Sequence, residues 1–136
     1  MTVVVDASVT IAIALREEVS PVLAQIGERI VGEGAVVPAL WRFEVANVLL
    51  VAARRKRIAR DRPAEILRDL EFLPILIDEA GAGRAWSTTL ALAERHVLTV
   101  YDAAYLELAL RIGAPLASRA GALIEAARQS AVETLG

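Results

Sequence analysis

The chain has 136 residues and a formal net charge of −2 at pH 7, with 56% hydrophobic, 24% charged and only 4% aromatic residues. That length fits one domain with a single core, and the apolar content, with a mean hydropathy of +0.49, excludes intrinsic disorder. The absence of cysteine excludes a disulfide framework, thiol catalysis and Cys-ligated metal, and the single histidine, His96, excludes a multi-His metal site or a His-pair cleavage mechanism.

Val3-Val4-Val5 is an apolar β-branched run suited to a buried strand, closed by Asp6. Ser8 stands where an N-cap would precede a helix over Val9 to Leu15. Ser20-Pro21 opens a second helix to about Val31, stopped by Gly32 and Gly34, and Ala35 to Val37 reads as a second strand before Pro38. The pattern is helical from about Ala39 to Ile58 and again from Ala64 to Leu73. Ile75 to Ile77, closed by Asp78, is a third strand. A long helix is predicted from about Ala80 to His96, then a break at Leu98 to Val100 and a helix from Asp102 to Ile112, capped by Gly113. Pro115 to Ser118 reads as a fourth strand, Gly121 to Gln129 as a last helix, and a short strand is expected near Val132. Short apolar strands alternating with helices specify an α/β fold on a parallel sheet, whose ligand crevice lies beyond the carboxyl ends of the strands. The longest uncharged apolar runs, such as Val45 to Ala53, are about half the ~18 residues a membrane span needs. The expectation is a cytoplasmic protein with no membrane partner.

Most acidic residues, Glu17, Glu18, Glu28, Glu33, Asp61, Glu65, Asp69, Glu71, Glu79 and Glu94, read as solvated charges. Three stand apart. Asp6 ends a buried strand immediately before a helix, either as a cap or as a carboxylate aimed into the crevice. Glu44 has Leu40, Trp41, Asn47 and Val48 at helical spacing, a mostly apolar stripe on which a carboxylate is costly unless paired with an arginine or a metal. Asp102 by itself reads as the N-cap of its helix, with Tyr105 and Leu106 on its inner side. With no cysteine and one histidine, the metal such a set could share is a hard, oxygen-loving cation, Mg²⁺ or Mn²⁺, which points to phosphoryl or phosphodiester chemistry.

The segments Val4-Val5-Asp6-Ala7-Ser8, Phe43-Glu44-Val45-Ala46-Asn47-Val48-Leu49 and Tyr101-Asp102-Ala103-Ala104-Tyr105-Leu106-Glu107-Leu108-Ala109 resemble the three acidic motifs of PIN domains. Their order and spacing are similar in particular to those of the virulence-associated protein C type of ribonuclease toxin, and the likeness spans nearly the whole chain. The resemblance implies a three-layer αβα domain over residues 1–136 and an Mg²⁺-dependent endoribonuclease, neutralised by a cognate antitoxin protein and usually a homodimer. It assigns Asp6 and Asp102 as principal metal ligands, Glu44 as completing the cluster, and Ser8 and Asn47 as hydrogen-bonding supports. Ser118 keeps a hydroxyl at the end of the fourth strand. The family's usual fourth carboxylate, two residues after Ser118, is replaced by Ala120. That departure opens the alternative of a catalytically weakened or inactive protein that still binds RNA or antitoxin.

Arg54, Arg55, Lys56, Arg57, Arg60 and Arg62 put six cations in nine residues. A helix terminus explains one or two of them by its dipole, and an RNA-backbone contact is the other reading, centred on Arg54 to Arg57. Trp41, Trp86 and Tyr105 read as core or partner interface, and His96 as structural. A phosphotransfer receiver domain shares the fold class, but needs a late lysine, and the only lysine is Lys56 in the basic cluster. The high apolar content also predicts exposed apolar surface for a dimer or a partner helix.

Overall fold

A computed structural model of the chain describes residues 2–16 and 20–135. Glu17 and Glu18 lie outside the described residues. In chain order the elements are β1 (Val3–Val5), α1 (Ala7–Leu15), α2 (Pro21–Glu33), β2 (Ala35–Pro38), α3 (Leu40–Arg54), α4 (Arg62–Glu71), β3 (Ile75–Asp78), α5 (Leu90–His96), α6 (Val100–Ile112), β4 (Leu116–Ala117), α7 (Gly121–Gln129) and β5 (Thr134–Leu135). The five strands form one parallel sheet in the order β3-β2-β1-β4-β5. Helix α6 packs across β1, β2 and β4 with α5 and α7 beside it, while α2 contacts β1 from a group in which α1 touches α2 and α3, and α3 touches α4. The result is the three-layer α/β sandwich expected from the strand pattern.

The central strands are fully buried: Val3, Val4, Val5, Val37, Leu116 and Ala117 have almost no exposed surface. This is why their sequence is continuously apolar rather than alternating. Gly34 connects α2 to β2 with φ at +81°, and a Cβ there would come within 3.1 Å of the Pro74 carbonyl oxygen, so only glycine fits this close approach without strain.

Several local expectations are corrected. The N-cap of α1 is Asp6, whose carboxylate accepts from the Val9 N–H, and Ser8 lies inside the helix. Gly32 falls within α2, which runs to Glu33. Helix α3 stops at Arg54 rather than Ile58, because Lys56 takes a left-handed conformation (φ +59°) that ends the helical path. The single helix expected over Ala80 to His96 is instead a 3₁₀ turn (Gly81–Arg84), a π turn (Ala85–Thr89) and the short α5. Two glycines in the first four residues make a regular start costly there. Of the core or interface position expected for Trp86, the core is ruled out, because the side chain is 94% exposed in this π turn.

Glu107 is an ion-pair anchor that the apolar run around it concealed. Only 3% exposed, it accepts from Arg111 Nε at 2.9 Å and 3.2 Å. The same guanidinium bonds both carboxylate oxygens of Asp78 at 3.1 Å and 2.6 Å, and Arg84 Nε lies 3.5 Å from Glu107. Edge strand β3 and the irregular segment after it are thus clamped to α6. The Arg111 hydrogen bonds hold the Asp78 carboxyl below its ordinary value. Such a group stabilises the fold above the ordinary carboxylate range and loses that contribution as pH falls through its lowered pKa. Removing Arg111 strands a buried carboxylate: Arg111→Ala should cost about 3 kcal/mol in urea unfolding at pH 7, with the difference from the native chain shrinking below about pH 4.

Candidate active site

The parallel register decides what stands at the carboxyl edge of the sheet. Val5 pairs with Ala117, so the next residue on each strand, Asp6 and Ser118, emerges side by side, and the Asp6 N–H donates to the Ala117 carbonyl at 3.1 Å. Asp6 is 4% exposed and both its carboxylate oxygens accept hydrogen bonds. Oδ1 accepts from Ser8 Oγ (2.6 Å) and the Val9 N–H (3.0 Å), and Oδ2 from Ser118 Oγ (2.5 Å). The two serines are themselves fixed by the loop after β4: the Arg119 N–H donates to Ser8 Oγ at 3.1 Å and the Ala120 N–H to Ser118 Oγ at 2.9 Å. Behind them the Trp41 indole N–H donates to Thr10 Oγ1 (2.9 Å), whose hydroxyl donates to the Asp6 carbonyl (2.8 Å), tying the start of α3 to the same residue.

Glu44 lies in the second turn of α3, half-buried, and Oε1 accepts from the Tyr105 hydroxyl at 2.6 Å. The arginine partner that a buried salt bridge would need is not there among the described residues. Burial, with Glu44 beside it, pushes the Tyr105 hydroxyl pKa far up, so it remains a donor. Asp102 is not the N-cap of α6. Thr99 is, its hydroxyl oxygen accepting from the Asp102 N–H at 3.0 Å, which leaves the Asp102 side chain free in the first turn. Thr99-x-x-Asp102 matches the spacing of a capping box, and that signal locates the cap correctly.

Burial pushes the Glu44 carboxyl above its ordinary pKa, partly offset by the Tyr105 bond, and the charges of Asp102 and Asp6 push it further in the same direction. Burial and the Asp6 charge also raise Asp102. The three acids therefore sense one another across three chain segments, and among the described residues no ion pair neutralises any of them. They are not already closed into a metal cage: among the described residues no three such side chains sit in ligating arrangement. In kind, the donors suit a hard divalent cation, being carboxylate and hydroxyl oxygens with no sulfur or imidazole among them. Asn47 is exposed on α3 and makes no hydrogen bond to the three acids. Ala120 occupies the N-cap position of α7 without any side-chain cap. Arg54 to Arg57 lie at the far end of α3, away from the acids.

A family model for the PIN domain matches residues 3–128. Ribonuclease VapC3 of Pyrobaculum aerophilum is 38% identical over 119 residues, 85% of this chain and 87% of that protein. Among solved structures, PAE2754 from Pyrobaculum aerophilum superposes with a TM-score of 0.69 at 24% identity, covering 93% of this chain and 79% of its own. FitAcB from Neisseria gonorrhoeae superposes with a TM-score of 0.66 at 16% identity, covering 99% of this chain and 97% of that one.

Because folding raises the pKa of Glu44 and Asp102, the folded state binds more protons than the unfolded one between the ordinary carboxylate value and the raised one. Stability without added metal should fall as pH rises through that window, and the full penalty should persist at pH 7. Asp102→Asn should therefore raise the urea midpoint at pH 7 with an unchanged m-value, and flatten the pH dependence.

Proposed function

The chain belongs to the PIN-domain family, and from that premise we propose that it is a ribonuclease of the toxin–antitoxin kind that hydrolyses RNA phosphodiester bonds at a divalent cation, Mg²⁺ or Mn²⁺, held by Asp6, Asp102 and Glu44. The observation that carries the reading is the set of three mutually repelling acids, from three separate motifs, with no ion pair to neutralise them among the described residues. Such a charge arrangement has a purpose once a cation completes it. When bound, the cation supplies Lewis-acid activation of water and offsets charge developing on the phosphate.

The chain's own residues fix the geometry that such chemistry needs. Ser8, Ser118 and the Val9 N–H orient both oxygens of Asp6, and Tyr105 holds one oxygen of Glu44 while leaving the other available. The Thr99 cap fixes the Asp102 backbone in the first turn of α6 and leaves its carboxylate unused by the helix. The proposed partners are RNA, a cognate antitoxin protein and a second copy of the chain, in the cytoplasm. Exposed Phe43, Trp86 and Tyr101 offer apolar area for protein partners, and no helix among the described residues is long and apolar enough to cross a membrane.

A second reading is favoured by one observation: the family's usual fourth acid is absent at Ala120. On that reading the chain binds RNA or antitoxin without cleaving. Metal-dependent cleavage separates the two. The nuclease reading expects RNA cleavage that stops with EDTA and falls about 100-fold or more in Asp6→Asn and Asp102→Asn, corresponding to the several kcal/mol a catalytic cation contributes. Ala120→Asp should raise activity at limiting metal by adding an anionic oxygen. Its capping of an uncapped helix start should contribute about 1 kcal/mol of stability, with the larger net gain when metal offsets the added charge. RNA binding without cleavage by both the native chain and Ala120→Asp, at saturating metal, would establish the second reading instead.

A further inference from the structure

Residues 54 to 62 hold six cations and one anion, Asp61, giving +5 in a chain whose net charge is −2 and leaving −7 over the rest. Among the described residues one ion pair involves this set, Arg62 to Glu65 at 3.1 Å. Arg54, Arg55, Lys56, Arg57 and Arg60 are exposed and form no ion pair there. Arg54, Lys56, Arg57 and Arg60 line, with Leu50 and Ile58, a depression of about 960 Å³. The α3 dipole is satisfied by a single cation in its last turn, so an excess of four like charges is left whose mutual repulsion a bound anion would reduce.

The position of this saddle relative to the acids follows from helix geometry. Arg55, the C-cap of α3 beside the depression, is eleven residues beyond Glu44 and so projects within about 20° of the same direction, roughly 16 Å further along the axis, whereas Leu50, Ala53 and Arg54, which line the depression, are turned from Glu44 by about 120°, 180° and 80°. Asn47, Val48 and Val51 lie between them on or beside that stripe. A cluster of acids cannot itself attract a polyanion, and the remaining −7 of the surface repels one. A strand whose phosphate reaches the acids must draw its affinity from elsewhere, and the nearest uncompensated positive field on α3 is this saddle.

We infer that the basic saddle at the end of α3 is a distal phosphate-binding site for single-stranded RNA, engaging the backbone several nucleotides from the bond held at the acids. This rests on the proposed action on RNA, but is separable from cleavage. Lys56 supplies a clean probe, since its left-handed backbone (φ +59°) is one that glycine adopts without strain, so Lys56→Gly removes a charge while retaining the turn. The experiment is fluorescence anisotropy of a labelled unstructured RNA with EDTA present, titrated from low to high salt. Lys56→Gly should reduce the slope of log affinity against log salt by about 0.7, and Arg55→Glu with Arg57→Glu should reduce it by about 1.4 or more. The double variant should also weaken binding at least tenfold with an unchanged thermal midpoint. Native binding that these substitutions leave unaltered in affinity and slope would overturn the inference, as would native cleavage of RNA with no detectable binding in EDTA. Tighter binding to phosphatidylserine vesicles than to RNA, lost in the same variants, would assign the saddle to a membrane and overturn it too. Binding through the saddle without cleavage at saturating metal would uphold it while removing the nuclease reading.

Discussion

A carboxylate almost wholly removed from water, in no ion pair among the described residues, is the constraint around which this molecule is organised. Asp6 sits at the end of the central strand, where the pairing of Val5 with Ala117 forces it against Ser118. A buried charge of this kind is tolerable only if nearly every lone pair is engaged. The engagement is drawn from both ends of the chain: Ser8 and Val9 from the first helix, Ser118 from the last part of the sheet, and backbone N–H groups of residues 119 and 120 fixing the two serines. Closing this network therefore requires β1 and β4 to be in register, so the site and the centre of the sheet assemble together.

The molecule treats its buried acids in two opposite ways. Glu107 and Asp78 are matched by Arg111, with Arg84 adding to Glu107, and their charges are spent on holding edge strand β3 and the irregular segment to α6. Among the described residues the Glu44 carboxylate has only the Tyr105 hydroxyl and the Asp102 carboxylate no hydrogen-bond partner, and both are held above their ordinary pKa. The first arrangement is self-sufficient. The second is electrostatically incomplete and stores a penalty that an added cation would offset. Two clusters built from the same residue types, each including residues of α6, thus differ in whether an arginine was supplied.

Charge is equally uneven over the surface. The turn after α3 concentrates cations while the rest of the chain carries the opposite sign, and the α3 axis joins that turn to the acids. Helix α3 is accordingly more than a packing element: its first turns contribute Trp41 and Glu44 to the site, and its end orients the basic saddle.

The sequence by itself determined the parallel α/β fold, because fully buried strands must be continuously apolar and helices betray themselves by caps such as Ser20-Pro21 and Gly113. It also singled out Asp6, Glu44 and Asp102, since a carboxylate on an apolar stripe or at a strand end has few cheap explanations. It misjudged local roles. Ser8 and Asp102 looked like caps, yet Asp6 and Thr99 hold those positions, a choice set by which side chain the folded chain directs toward the first helical N–H groups. It passed over Glu107, whose i+4 partner Arg111 is local in the chain, while Arg84 and the Asp78 that shares Arg111 lie more than twenty residues away and meet the pair only through packing. Asn47, one turn from Glu44, was given a supporting part that the distant Tyr105 performs. The interruption of the helix before His96 was legible locally, in Gly81 and Gly83 at its start, and was passed over. Periodicity and burial cost are written locally in the chain. Which donor reaches which acid is decided by strand register and helix packing, because those alone bring together residues that are far apart along it.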